Sequence, residues 1–133
     1  MTAHRERERM VQRRKSAKER RIEAPVLALQ LDKEVERLKT EPEWQTGKED
    51  GITLAKYPHL RVVLVALRKG ASMHEHTVRG PISVFVVSGR VTLLASERSY
   101  DLRAKGLATL RKSVLHDVRA TADSVILLTV MAL

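Results

Sequence analysis

His74 and His76 stand one residue apart in the stretch Lys69-Gly70-Ala71-Ser72-Met73-His74-Glu75-His76. Side chains on a strand alternate between its two faces, so His74 and His76 project together while Glu75 projects to the other side. Two imidazoles on one face are placed to chelate a divalent ion, and equally to hydrogen-bond a ligand. A third imidazole, His116, follows about 40 residues later in Val114-Leu115-His116-Asp117-Val118. Three neutral imidazoles can hold tetrahedral zinc plus a water, or octahedral iron, manganese, nickel or cobalt plus several waters. Such a site weakens on acidification, because a protonated imidazole cannot ligate. The alternative is a metal-free pocket in which the same histidines rim an apolar mouth and contact a small ligand directly.

Other chemistries lack their residues. There are no cysteines, which excludes disulfides and thiolate catalysis. Ser72, Ser83 and Ser113 sit in no Gly-x-Ser-x-Gly elbow, and no glycine-rich phosphate loop is present, so no nucleotide cofactor is expected. No pair of carboxylates suggests general acid–base work. The sequence specifies a pocket and leaves the reaction, and whether there is one, open.

The elements that must position these histidines come from a change of period. From Gly51 onward, short runs rich in Val, Ile, Leu and Thr, such as 60–68, 81–89 and 124–133, are separated by turn signals at Lys69-Gly70, Gly80-Pro81, Ser88-Gly89, Lys105-Gly106 and Ala122-Asp123. About eight strands in this span, with no intervening helices, predict an antiparallel all-β barrel or sandwich. Aromatics make up only 3% of the chain, so its core must be aliphatic.

Before Gly51 the pattern is helical. Leu27, Leu31, Val35 and Leu38 recur at helical spacing, Pro25 suits a first helical turn, and Pro42 suits a stop. Residues 24–50 are therefore expected to form one amphipathic helix and a linker anchored by Trp44, the sole tryptophan. Residues 1–23 are nearly devoid of apolar side chains and read as a basic, solvated arm. The net charge is +9, and residues 1 to 24 hold nine Arg or Lys against four Glu, so more than half the excess lies there. Such an arm can contact nucleic acid or another polyanion through phosphates. The charged N-terminus has no signal-peptide core, and no apolar run approaches the roughly 20 residues of a membrane span. A cytoplasmic protein without membrane contact is expected.

Taken together, Gly70, His74, His76 and Gly89, followed by Gly106 and His116, resemble the two motifs of the small single-domain cupins, functionally uncharacterised bacterial ones among them. The likeness covers residues 51–133 and implies a cupin-type double-stranded β-helix, or jelly-roll barrel. It also implies a divalent metal held by His74, His76 and His116, a small-molecule ligand, and a homodimer, which open sheet edges would favour as well. The motif departs in one telling place. Counting back from Gly89, the family's metal-binding glutamate falls on Ile82, and the second motif reads Arg111-Lys112-Ser113-Val114-Leu115-His116 without its proline or glycine.

Overall fold

Strict alternation in some strands and unbroken apolar runs in others decide how the chain is layered. The computed structural model describes residues 22–75 and 80–131. After two helices, α1 (Leu31–Lys39) and α2 (Pro42–Thr46), come nine strands among the described residues: β1 (Glu49–Tyr57), β2 (Leu60–Leu67), β3 (Ser72–Glu75), β4 (Ile82–Ser88), β5 (Arg90–Ala95), β6 (Arg98–Arg103), β7 (Leu107–Leu110), β8 (His116–Ala120) and β9 (Ser124–Met131).

The strands form two antiparallel sheets, one ordered β1-β2-β9-β4-β7 and the other β3-β8-β5-β6. β5 pairs with β6, β4 with β7, β3 with β8 and β2 with β9. These pairs are nested: the chain from β2 to β9 behaves as one long hairpin wound around itself, with successive pairs assigned alternately to the two sheets. That is the jelly-roll expected from the sequence. Among the described residues no strand pairs bridge the two sheets, so the barrel is open along its sides.

The core between the sheets is aliphatic, as the composition requires. Leu67, Val84, Val86, Val91, Val118 and Ile126 pack there with almost no exposure. Ile82 belongs to this cluster. A second cluster covers the outer face of the larger sheet, where Leu38 of α1 and Trp44 of α2 lie on Ile52, Leu54, Leu64 and Ala66. Arg68 caps it, its guanidinium 3.9 Å above the Trp44 ring and its Nη2 donating to the Trp44 carbonyl at 3.0 Å. Trp44 thus anchors the linker as its uniqueness suggested.

The helix is shorter than its spacing predicts. Residues 26–30 are not helical, and Gln30 is the N-cap in an extended conformation. Helical backbone begins where Asp32 and Glu34 can face the partial positive charge of the first turn. Leu29, Leu31 and Val35 still reach the outer cluster, so the apolar stripe is used by an extended run followed by a helix. Pro42 opens α2 at its first turn instead of merely ending α1.

Gly89 makes the β4–β5 turn with φ +88°. A Cβ there would lie 2.6 Å from Ser124 Cα. Ser124, itself buried, accepts the Arg90 N–H on its hydroxyl at 2.9 Å, so the β8–β9 corner presses directly against this turn.

Candidate functional site

β8 is a central strand of the smaller sheet, with β3 on one side and β5 on the other. Its alternation is regular: His116, Val118 and Ala120 are buried, whereas Asp117 is half-buried and Arg119 exposed. His116 keeps only 4% of its surface in contact with solvent, at the end of the row where the core gives way to the barrel mouth. The turn that delivers it runs through Ser113, whose φ of +66° takes the backbone where a glycine would be expected.

One ring nitrogen of His116 is committed. Nδ1 lies 3.0 Å from the Val114 carbonyl oxygen. A carbonyl can only accept, so Nδ1 carries the proton and donates, and in the neutral ring Nε2 is left with a bare lone pair. Nε2 is buried and has no hydrogen-bond partner among the described residues. Buried polar atoms are nearly always satisfied, and an orphan invites a ligand. A carbonyl on the far nitrogen is also how proteins orient a histidine that ligates a metal.

The strand register decides what stands beside this imidazole. His116 pairs with Ala95 of β5 and with Glu75 of β3, while His74 pairs with Asp117. Residues directly opposite one another in an antiparallel pair occupy the same face. Position 75 therefore belongs to the row of His116, and position 74 to the row of Asp117 and Arg119. Strand parity alone put Glu75 opposite in direction to His74 and His76, and the register adds that Glu75 and Asp117 fall in different rows. For His74 the description extends to this backbone register, and His76 lies outside the described residues. Ile82, at the place of the family's glutamate, is 3% exposed and pairs with Leu110 and Val130 in the core. No carboxylate can reach the site from that position.

Two adjoining cavities open at this end of the barrel. The first, of about 850 Å³, is bounded by the β5–β6 turn and the β7–β8 loop, with Ser96, Glu97, Arg98, Ser113, His116 and Asp117 on its walls. The second, of about 480 Å³, lies between β5, β6 and β7, with Leu93, Tyr100, Leu102, Leu110 and Arg111 among its lining. Ala95, Ser96 and Val114 belong to both. The rim at Ser96 and Glu97 was not legible in the sequence. Both residues have positive φ, 50° and 63°, in a two-residue hairpin turn that Asn-Gly would normally announce.

Among the described residues, the side chains of metal-ligand type that converge are Glu41, Glu43 and Asp50, with carboxylate oxygens within 4.8 Å of one another. They sit where α2 meets β1, on elements that contribute nothing to the two cavities. Burial, a side-chain hydrogen bond with Glu41 and the Glu41 charge push the Asp50 carboxyl up to about 6.

No protein-family model matches the chain, and no curated protein does. Solved structures match clearly. An RmlC-like cupin from Shewanella frigidimarina is 20% identical, with a TM-score of 0.61 over 65% of this chain and 78% of that one. A conserved protein of unknown function from Streptococcus pyogenes is 18% identical, with a TM-score of 0.64 over 85% and 92% of the two chains. The salicylate 1,2-dioxygenase of Pseudoaminobacter salicylatoxidans, in a structure with gentisate adducts, is 14% identical, with a TM-score of 0.69 over 82% of this chain and 34% of the dioxygenase. At these identities the likeness is one of fold, and it agrees with the nested strand pairs described above.

Proposed function

We propose, on the premise that this chain is a small cupin-fold protein, that it binds a small polar molecule at the open end of its barrel and that Nε2 of His116 is the atom that meets it. The observation that carries this reading is Nε2 itself, which has no partner among the described residues and is buried at the cavity wall with its ring held by the Val114 carbonyl. A bare imidazole nitrogen accepts a hydrogen bond, so the ligand presents a hydroxyl or N–H group. The same nitrogen can take up the proton of such a group, with the carboxylates of Glu97 and Asp117 on the walls of the same cavity.

A second reading keeps the atom and changes its partner. Nε2 of His116 ligates a divalent ion together with His74 and His76, and the ligand reaches the ion. The pinned Nδ1 favours it. Against it stand the register, which gives position 74 to the other row, and Ile82, which removes the usual carboxylate. When bound, such an ion would supply Lewis acidity to a ligand oxygen. The chain's own part would be to hold the imidazole ring fixed and to keep the apolar wall around it dry.

The two readings separate by metal analysis of protein purified without a histidine tag. The metal reading requires a stoichiometric ion, as isolated or after titration with Zn, Fe, Mn, Ni or Co, that His76→Ala and His116→Ala both lose. If no ion binds, direct recognition remains, and it requires the 15N resonance of His116 Nε2 to shift when fragments carrying hydroxyl or amide donors are added. If neither response occurs, the site is not functional.

A further inference from the structure

The second cavity has a chemistry of its own that the His116 site does not use. Its wall is aliphatic along β5, β6 and β7, with Leu93 and Leu110 almost fully buried and Leu102 partly so. Tyr100 and Leu107 lie at its edge and are left to water, at 42% and 59% exposure. At about 480 Å³ it falls within the range of small-molecule pockets. It opens where β6 and β7, the edge strands of the two sheets, fail to pair.

The charge on this wall is one-sided. Among the described residues, Arg111 is the only charged one that lines it, and no Asp or Glu does. Arg111 makes no ion pair among the described residues. Three other arginines, Arg37, Arg68 and Arg90, are paired with Glu34, Asp123 and Asp101. A guanidinium is a planar fork of donors suited to a carboxylate. An apolar hollow with one unpaired guanidinium on its wall and no competing acid is matched by a molecule with an apolar body and a single anionic head.

We infer that the cavity between β5, β6 and β7 is a binding site for an apolar monocarboxylic acid, with the apolar body against Leu93, Leu102 and Leu110 and the carboxylate on Arg111. The site goes beyond the proposed role of His116. It shares a wall with the first cavity at Ala95, Ser96 and Val114, yet needs neither a metal nor the imidazole.

Titration calorimetry with 2-naphthoate and its neutral counterpart 2-naphthalenemethanol, on the full chain dialysed against a chelator, tests it. Naphthoate should bind the wild type at least ~10-fold more tightly than the alcohol, the share expected of a hydrogen bond to a charged group. Arg111→Gln should remove that advantage and leave alcohol binding within about twofold, since only the charged partner is lost. Ala108→Phe, which fills the hollow, should weaken both compounds, with thermal unfolding confirming that the variant is folded. His116→Leu should bind naphthoate as the wild type does, which separates this site from the His116 reading. The inference is overturned if acid and alcohol bind equally or not at all, if Arg111→Gln leaves naphthoate affinity unchanged, or if His116→Leu abolishes binding where Arg111→Gln does not.

Discussion

The two sheets of this barrel are built from the same aliphatic residues and put to different uses. The larger sheet is covered on both faces, by the inter-sheet core on one side and by α1, α2 and Trp44 on the other. Its strand β2 accordingly reads as the unbroken run Val62-Val63-Leu64-Val65-Ala66-Leu67, in which adjacent residues are buried in different clusters. Among the described residues, the smaller sheet is covered on one face only. Its strands β5 and β8 alternate buried with exposed or half-buried residues, and Leu94 is left 44% exposed. The doubly covered sheet is scaffold. The singly covered one has an edge and a mouth, and both cavities form against it.

If that contrast is right, substitutions of the same kind should differ by sheet. Leu64→Ala, at a site with no exposure, should cost about 3 kcal/mol in urea unfolding, whereas Leu94→Ala on the uncovered face should stay below about 0.5 kcal/mol. Equal costs would remove the distinction. The contact between the sheets can be struck at Gly89→Ala, which meets both a positive φ and the backbone of Ser124, for an expected loss of about 2 kcal/mol by the same measurement.

His116→Leu sharpens the comparison from the other side. It removes the orphaned nitrogen together with its hydrogen bond and keeps the volume apolar, so stability should change by less than about 1 kcal/mol. The Nε2 response to donor fragments or metal should disappear altogether. A large loss of stability would make His116 a structural residue.

The smallest effect belongs to the scaffold end. The Asp50 carboxyl is raised to about 6 in the folded chain against 3.8 for its ordinary value. The folded state therefore binds the extra proton between those values, and stability falls as pH rises from about 4 to about 6. Asp50→Asn should flatten that slope. The gain near pH 7 should be about 1 kcal/mol or less once solvent screening at this half-buried group is allowed for. A denaturation series across pH 4 to 7 reads both.

Much of the architecture was legible because it depends on local pattern. The change of period at Gly51, the turn signals and the aliphatic palette lead to an all-β barrel, and Trp44 announced its anchoring role by being alone. The start of α1 lies later than the spacing predicts because an extended run can present Leu29 to the same apolar surface that a helical turn would. The turn at Ser96 and Glu97 carried no glycine or asparagine to reveal it. Cavity walls drawn from β5, β6, β7 and the β7–β8 loop have no sequence signature, since their residues are neighbours only after folding.

His74, Glu75 and His76 show where the division lies. The sequence alone determined that adjacent side chains in this stretch alternate in direction, because the period of a strand is a property of the backbone. It also determined that Ile82 holds no carboxylate. Which of these positions shares a row with His116 depends on the register between β3 and β8, two strands brought together from distant parts of the chain. The packing of Val118 and Ala120 into the core sets that register, and it places position 75 opposite His116.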